Sequence, residues 1–165
     1  MSLYRIKQFY WSITSRIDLE DEELINKYLN TQEKKLLGSL SVYEQKHSVN
    51  VAKDVIKEYK NNNIKSDTLI KAALLHDIGK AYKKLNPFEK SIVVILNNLS
   101  KEKLRKYNNI KRVYVYYNHA DIGYNILKDI KGYDERFLYL IKNHHNDFII
   151  GDKELELLKA CDSKN

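Results

Sequence analysis

The chain of 165 residues is 43% hydrophobic and 31% charged, with 29 Lys+Arg against 22 Asp+Glu and a formal net charge of +7. That apolar content suffices for one domain with a buried core and excludes disorder as the main state. The single cysteine, Cys161, excludes an intramolecular disulfide and a Cys-x-x-Cys zinc or redox site, which fits a reducing, cytoplasmic setting.

Five glycines and one proline are too few turn formers for the hairpins of a sandwich or barrel, so the predicted class is all-α. Helical periodicity places amphipathic segments, in chain order, at about 3–14, 20–29, 31–37, 42–60, 66–80, 87–98, 119–130, 134–145 and 152–162. The first carries Phe9, Tyr10, Trp11 and Ile13, a set that reads as core packing. Asn61, Asn62 and Asn63 close the 42–60 segment, Ser66 or Asp67 caps the next, and Asn86 before Pro87 opens the one after. The longest aliphatic run, Ile92 to Leu96, is too short to span a bilayer, and no signal peptide is recognisable, so no membrane partner is expected. Val113 to Tyr117 is a β-branched and aromatic run that suits a short extended piece, a buried helix or a loop. Gly132 and Gly151 follow two predicted helix ends.

The glycines are too scattered for a dinucleotide fingerprint or a P-loop. Lysines are dispersed and form no basic block, so the positive balance reads mainly as solvated surface and nucleic acid is not the expected partner. Residues 1–40 are expected to form a helical extension packed on a core domain spanning 41–165.

Chemistry concentrates in histidines and aspartates that continue the apolar stripe of their own helices, a placement that is costly unless they are paired. His47 is in line with Val51 and Val55, and His76, with Asp77 beside it, follows Leu69 and Ala72 or Ala73. His119 shares a face with Ile122 and Ile126, His144 follows Phe137 and Leu140 or Ile141, and Asp162 follows Leu155 and Leu158. One such histidine is ordinarily a core residue with a satisfied hydrogen bond. A ring of imidazoles and carboxylates converging on a bundle interior is instead what a divalent transition metal needs.

The run Ala73-Leu74-Leu75-His76-Asp77-Ile78-Gly79-Lys80 resembles the HD-domain metal-dependent phosphohydrolases, named for their consecutive His-Asp. The likeness extends from His47 through Asn118-His119-Ala120-Asp121-Ile122-Gly123 and His144-His145 to Asp162, roughly the last three-quarters of the chain. It implies an all-helical bundle with extra N-terminal helices. It also implies one metal held by His47, His76, Asp77 and Asp162, and a second held by His119 and His144 with Asp77 bridging. Iron or manganese would be the usual ions, with zinc, nickel and magnesium as alternatives. His144-His145 is followed here by Asn146-Asp147-Phe148 and not by the Gly-Tyr-Pro of one cyclic-dinucleotide branch.

The expected function is hydrolysis of a nucleotide or dinucleotide phosphoester or phosphoanhydride, with metal-bound hydroxide as nucleophile. Lys80 would neutralise phosphate charge, or serve only as a cation at a helix C-terminus. His145 would act as a base, a phosphate contact or a further ligand. Lys83, Lys84, Lys111 and Arg112 suit either a basic rim that draws in a nucleotide or a solvated face. The competing expectations are a di-iron oxygenase of the same superfamily and a non-catalytic basic module that binds a nucleotide or RNA.

Overall fold

The computed structural model describes residues 14–62, 66–83 and 103–165. The regular structure among them is helical throughout, as the sparse glycine and proline content implies. The helices are α1 (Leu19–Tyr28), α2 (Thr31–Gly38), α3 (Val42–Asn62), α4 (Asp67–Leu75), α5 (Lys111–Lys128), α6 (Glu135–Asn143) and α7 (Lys153–Lys164). Two 3-10 segments, Ile78–Lys83 and Lys103–Tyr107, complete the described order. No described helix is long and apolar enough to cross a membrane.

Polar side chains set most helix starts. Asp18 and Asp21 form a reciprocal capping box on α1, and Asn30 and Glu33 form another on α2. Ser66, Asp134 and Asp152 cap α4, α6 and α7 by accepting from the backbone N–H three residues on. The capping carboxylates Asp21 and Glu33 are themselves buried, and lysines from neighbouring helices compensate them: Lys46 and Lys53 for Asp21, Lys71 for Glu33. The caps therefore also register α1 against α3 and α2 against α4.

The core draws on all seven helices. Leu29, Leu37 and Leu40 from the N-terminal stretch join Val51, Val55, Leu69, Leu74, Phe137, Leu140, Leu155 and Leu158 in one cluster. The apolar stripes anticipated on 42–60, 134–145 and 152–162 face this core.

Two boundaries differ from the sequence expectation. The segment predicted as one helix over 66–80 leaves α geometry after Leu75 and continues through His76 and Asp77 into the 3-10 turn. The helix predicted from 119 begins at Lys111, so Val113 to Tyr117 is helical. Its β-branched residues are overruled by packing, because Val115, His119, Gly123 and Leu127 recur every four residues along one buried stripe. The predicted segment 87–98 and nearly all of 3–14, with the aromatic set from Phe9 to Ile13, lie outside the described residues.

The 3-10 turn and α5 cross at backbone distance. A Cβ on Gly79 would stand 1.9 Å from the His119 carbonyl oxygen and 2.7 Å from the Gly123 nitrogen. Only glycine allows this approach, which brings the His76-Asp77 segment against the helix carrying His119.

Candidate metal centre

Three of the site histidines are oriented by the same local device. His76 and His144 occupy the C-cap positions of α4 and α6, and His119 lies within α5. Each ring donates from Nδ1 to the carbonyl three residues earlier: His76 to Ala73 at 2.9 Å, His119 to Tyr116 at 3.1 Å, His144 to Ile141 at 2.6 Å. A carbonyl only accepts, so Nδ1 carries the proton and Nε2 keeps its lone pair, the tautomer a metal ligand requires. At the two C-caps the ring also satisfies a carbonyl near the helix end.

The side chains converge in two groups, each with ligand atoms within 4.8 Å of one another: His47, His76 and Asp162; and Asp77, His119, His144 and His145. Asp162 Oδ1 lies 2.9 Å from His47 Nε2 and 3.4 Å from His76 Nε2. Asp77 stands between the groups, with Oδ2 at 3.5 Å from His76 Nε2 and 3.7 Å from His47 Nε2, and Oδ1 at 3.3 Å from His119 Nε2. His145 lies 2.9 Å from His119 through their Nε2 atoms, and 3.9 Å from Asp162 Oδ2 through Nδ1. Its side chain is 51% exposed, whereas those of His76 and His119 are 0% and 7% exposed.

His76 Nε2, His144 Nε2 and Asp77 Oδ1 are buried without a hydrogen-bond partner. Such atoms cost roughly 1–3 kcal/mol each when left unpaired. Nitrogen lone pairs and carboxylate oxygens grouped at these spacings have the donor character of a transition-metal site. On that ground the residues fit one or more divalent ions, Asp77 offering one oxygen to each group.

Electrostatics agree with this. Burial alone raises the Asp77 carboxyl, but Lys80 and the imidazoles of His76, His119 and His47 outweigh it and hold the group well below the ordinary carboxylate range. The Asp162 carboxyl is likewise lowered, burial being overcome by His76 and His47. Burial, aided by Lys80, brings His119 down to about 3, and burial with the neighbouring imidazoles lowers His144. Burial also lowers His47 and His145. His76 moves the other way, because Asp77 and Asp162 outweigh its burial. The centre thus combines two ionised carboxylates with mostly neutral imidazoles.

All six expected ligands and both added candidates, Lys80 and His145, are brought into this one region. Lys80 Nζ donates to Asp77 Oδ2, and Lys80 lies within the 3-10 segment Ile78–Lys83, not at the C-terminus of α4, so its position is defined by the Asp77 carboxylate. The anticipated basic rim is only partly described. Lys111 and Arg112 are exposed at the start of α5, with Lys111 Nζ 4.5 Å from the centroid of the Tyr82 ring; Lys84 and the side chain of Lys83 lie outside the description. Sequence reasoning missed the three carbonyl anchors, which have no side-chain signal, and a basic cavity bordered by Arg16, Lys46 and Lys164 beside His47.

A family model described as the HD domain matches residues 45–164. Comparison with curated proteins and with solved structures returns no match.

Proposed function

Because the chain belongs to the HD domain family, most of whose members are metal-dependent hydrolases, we propose that it hydrolyses a nucleotide-type phosphoester or phosphoanhydride. The observation that carries this reading is Asp77, whose two oxygens face different imidazole groups while the neighbouring Nε2 atoms of His76 and His144 have no partner.

Two divalent ions, iron or manganese by preference, would be held by His47, His76, Asp77 and Asp162 on one side and by Asp77, His119 and His144 on the other. When bound, they supply Lewis acidity toward phosphoryl oxygen and acidify a coordinated water. The remaining roles belong to the chain. The Nδ1 bonds of His76, His119 and His144 hold the rings in orientation, so little reorganisation accompanies reaction. Lys80 offsets the charge of Asp77 and lies where it can also meet charge developing on phosphate. His145, the half-exposed imidazole, carries the proton. Neutral at rest because burial lowers it, His145 takes a proton from the attacking water as the water oxygen bonds to phosphorus; the P–O bond to the leaving group breaks, and the imidazolium so formed returns that proton to the leaving oxygen.

The test is elemental analysis of protein purified without oxygen or chelator, followed by phosphate-release assays on nucleotides and dinucleotides. About two iron or manganese ions per chain with phosphate release is the expected outcome. Dioxygen uptake dependent on a polyol or phosphonate would move the assignment to oxygenase chemistry. Absence of metal after reconstitution, with salt-sensitive RNA binding, would make it a binding module.

A further inference from the structure

A cavity of about 340 Å³ adjoins the ligand cluster through His47, which forms part of its lining. Tyr43, Lys46, His47 and Asn50 reach it from one face of α3, at the three- and four-residue spacings that stack side chains along a helix. Lys164 reaches it from α7, two residues beyond Asp162, and Arg16 from the segment ahead of α1. The cavity therefore opens between the two helices whose side chains His47 and Asp162 meet at 2.9 Å.

Its chemistry is one-sided. The lining side chains include three cations, Arg16, Lys46 and Lys164, and no carboxylate. Lys46 is fixed by Asp18 at 3.0 Å and Asp21 at 2.5 Å, and Lys164 by Asp54 at 2.9 Å. These pairs offset part of the charge but hold the ammonium groups in place, and an ammonium has three donors to share. A guanidinium adds bidentate recognition of phosphate, and the Tyr43 ring adds a flat apolar surface. The volume falls in the range of small-molecule sites, roughly 300–1,000 Å³.

We infer that this cavity binds the non-reacting, phosphate-bearing half of a di- or polyphosphorylated nucleotide whose scissile phosphorus lies at the metal centre. Arg16, Lys46 and Lys164 take the phosphate oxygens, and Tyr43 and Asn50 meet the sugar or base. The substrate then carries an anionic group beyond the bond that breaks, and a nucleoside monophosphate whose one phosphorus lies at the metal centre leaves no phosphate for this cavity. The assignment of the scissile half rests on the phosphohydrolase reading; binding in the cavity does not.

The experiment is calorimetric titration of the purified protein with α,β-methylene adenosine diphosphate and with adenosine, each with and without EDTA. The diphosphate is expected to bind at least roughly tenfold more tightly than adenosine and to keep measurable affinity in EDTA. Arg16→Glu is expected to weaken it at least roughly tenfold. Lys131→Glu makes the same charge change at an exposed residue outside the lining, and should shift affinity less than about twofold. Loss of all binding in EDTA would place the phosphate at the metal centre alone and overturn the inference. So would equal effects of the two substitutions, or an Arg16→Glu variant that binds normally. EDTA-resistant, Arg16-dependent binding with no phosphate release from any nucleotide would uphold the cavity and overturn the hydrolase reading instead.

Discussion

Oδ1 of Asp77 stands 3.3 Å from Nε2 of His119, on the side of the carboxylate opposite the oxygen that faces His47 and His76. One carboxylate thus faces both groups of imidazoles, and on the proposed reading it would serve two ions. Asp77→Asn keeps the shape but removes the charge and one oxygen, and it should empty both positions, whereas His119→Ala should cost only the second ion. Elemental analysis of the two variants checks this, with far-ultraviolet circular dichroism to show that the helices persist. Retention of two ions by His119→Ala would remove that residue from the ligand set.

The same carboxylate holds Lys80, so Asp77→Asn has a separate consequence for the metal-free protein. A mostly buried ammonium loses its partner, which should lower stability by about 1–3 kcal/mol once the one-fifth exposure of Lys80 is allowed for. Lys80→Met in the Asp77→Asn background should recover much of that loss, because both ends of the pair are then gone. Urea unfolding of the two single variants and the double variant in EDTA measures the coupling. Strict additivity of the single effects would mean that the pair has no energetic role.

Gly79 tests the backbone crossing that brings the centre together. Its added Cβ would meet the carbonyl oxygen of His119, an atom fixed within α5, so Gly79→Ala should cost about 3 kcal/mol or more. A Cβ at Gly123 would lie 3.2 Å from Ile78 Cγ2 and from the Gly79 nitrogen, and helix propensity favours alanine there. Gly123→Ala should therefore change stability by no more than about 1 kcal/mol. Thermal unfolding of both variants checks the ordering, and a well-tolerated Gly79→Ala would show that the crossing is looser than this geometry.

His144 and His145 are adjacent in sequence but differ in setting. His144 is buried at the α6 C-cap with its Nδ1 committed to Ile141, while His145 is half-exposed. His144→Ala should release the second ion. His145→Ala should retain both ions and lose phosphate release by about 10²–10⁴-fold, the usual share of a proton-transfer group. Metal content beside single-turnover phosphate release separates the two; loss of an ion from His145→Ala would make that residue a ligand.

The helices and the convergence of these side chains were legible because each of the expected ligands extends an apolar stripe with helical spacing: His47 with Val51 and Val55, Asp162 with Leu155 and Leu158. The stretch from Val113 to Tyr117 was not, because its local β-branched preference competes with a four-residue burial pattern that becomes visible only when Gly123 and Leu127 are known to face the core. The break after Leu75 was hidden for a related reason. The apolar period continues through His76, and the close approach of the following Gly79 to α5 has no local signal. The basic cavity unites Arg16, Lys46 and Lys164 from distant parts of the chain, and no local spacing encodes such a meeting.

Acid should destabilise the metal-free protein before the carboxylates titrate. His119 is held at about 3 in the folded protein against an ordinary value of 6.5, so between those values the unfolded chain binds more protons. Its contribution is complete above 6.5 and declines as pH falls, by up to about 1.4 kcal/mol per unit. Burial shifts His47, His144 and His145 in the same direction. His76 opposes them: raised in the folded state by Asp77 and Asp162, it contributes fully below 6.5 and loses that contribution as pH rises through its folded value. Asp77 and Asp162 are lowered, so what they add is present above 3.8 and is lost only in stronger acid. Four histidines against one give a urea midpoint that falls from pH 7 to pH 5 in EDTA, with His119→Asn flattening the pH dependence of the unfolding free energy by up to about 1.4 kcal/mol per unit. Bound metal requires the same nitrogens unprotonated, so the loaded protein should show the steeper decline. A metal-free midpoint that rises on acidification would mean that His76 outweighs the other four, and that the imidazoles are not held neutral by their burial.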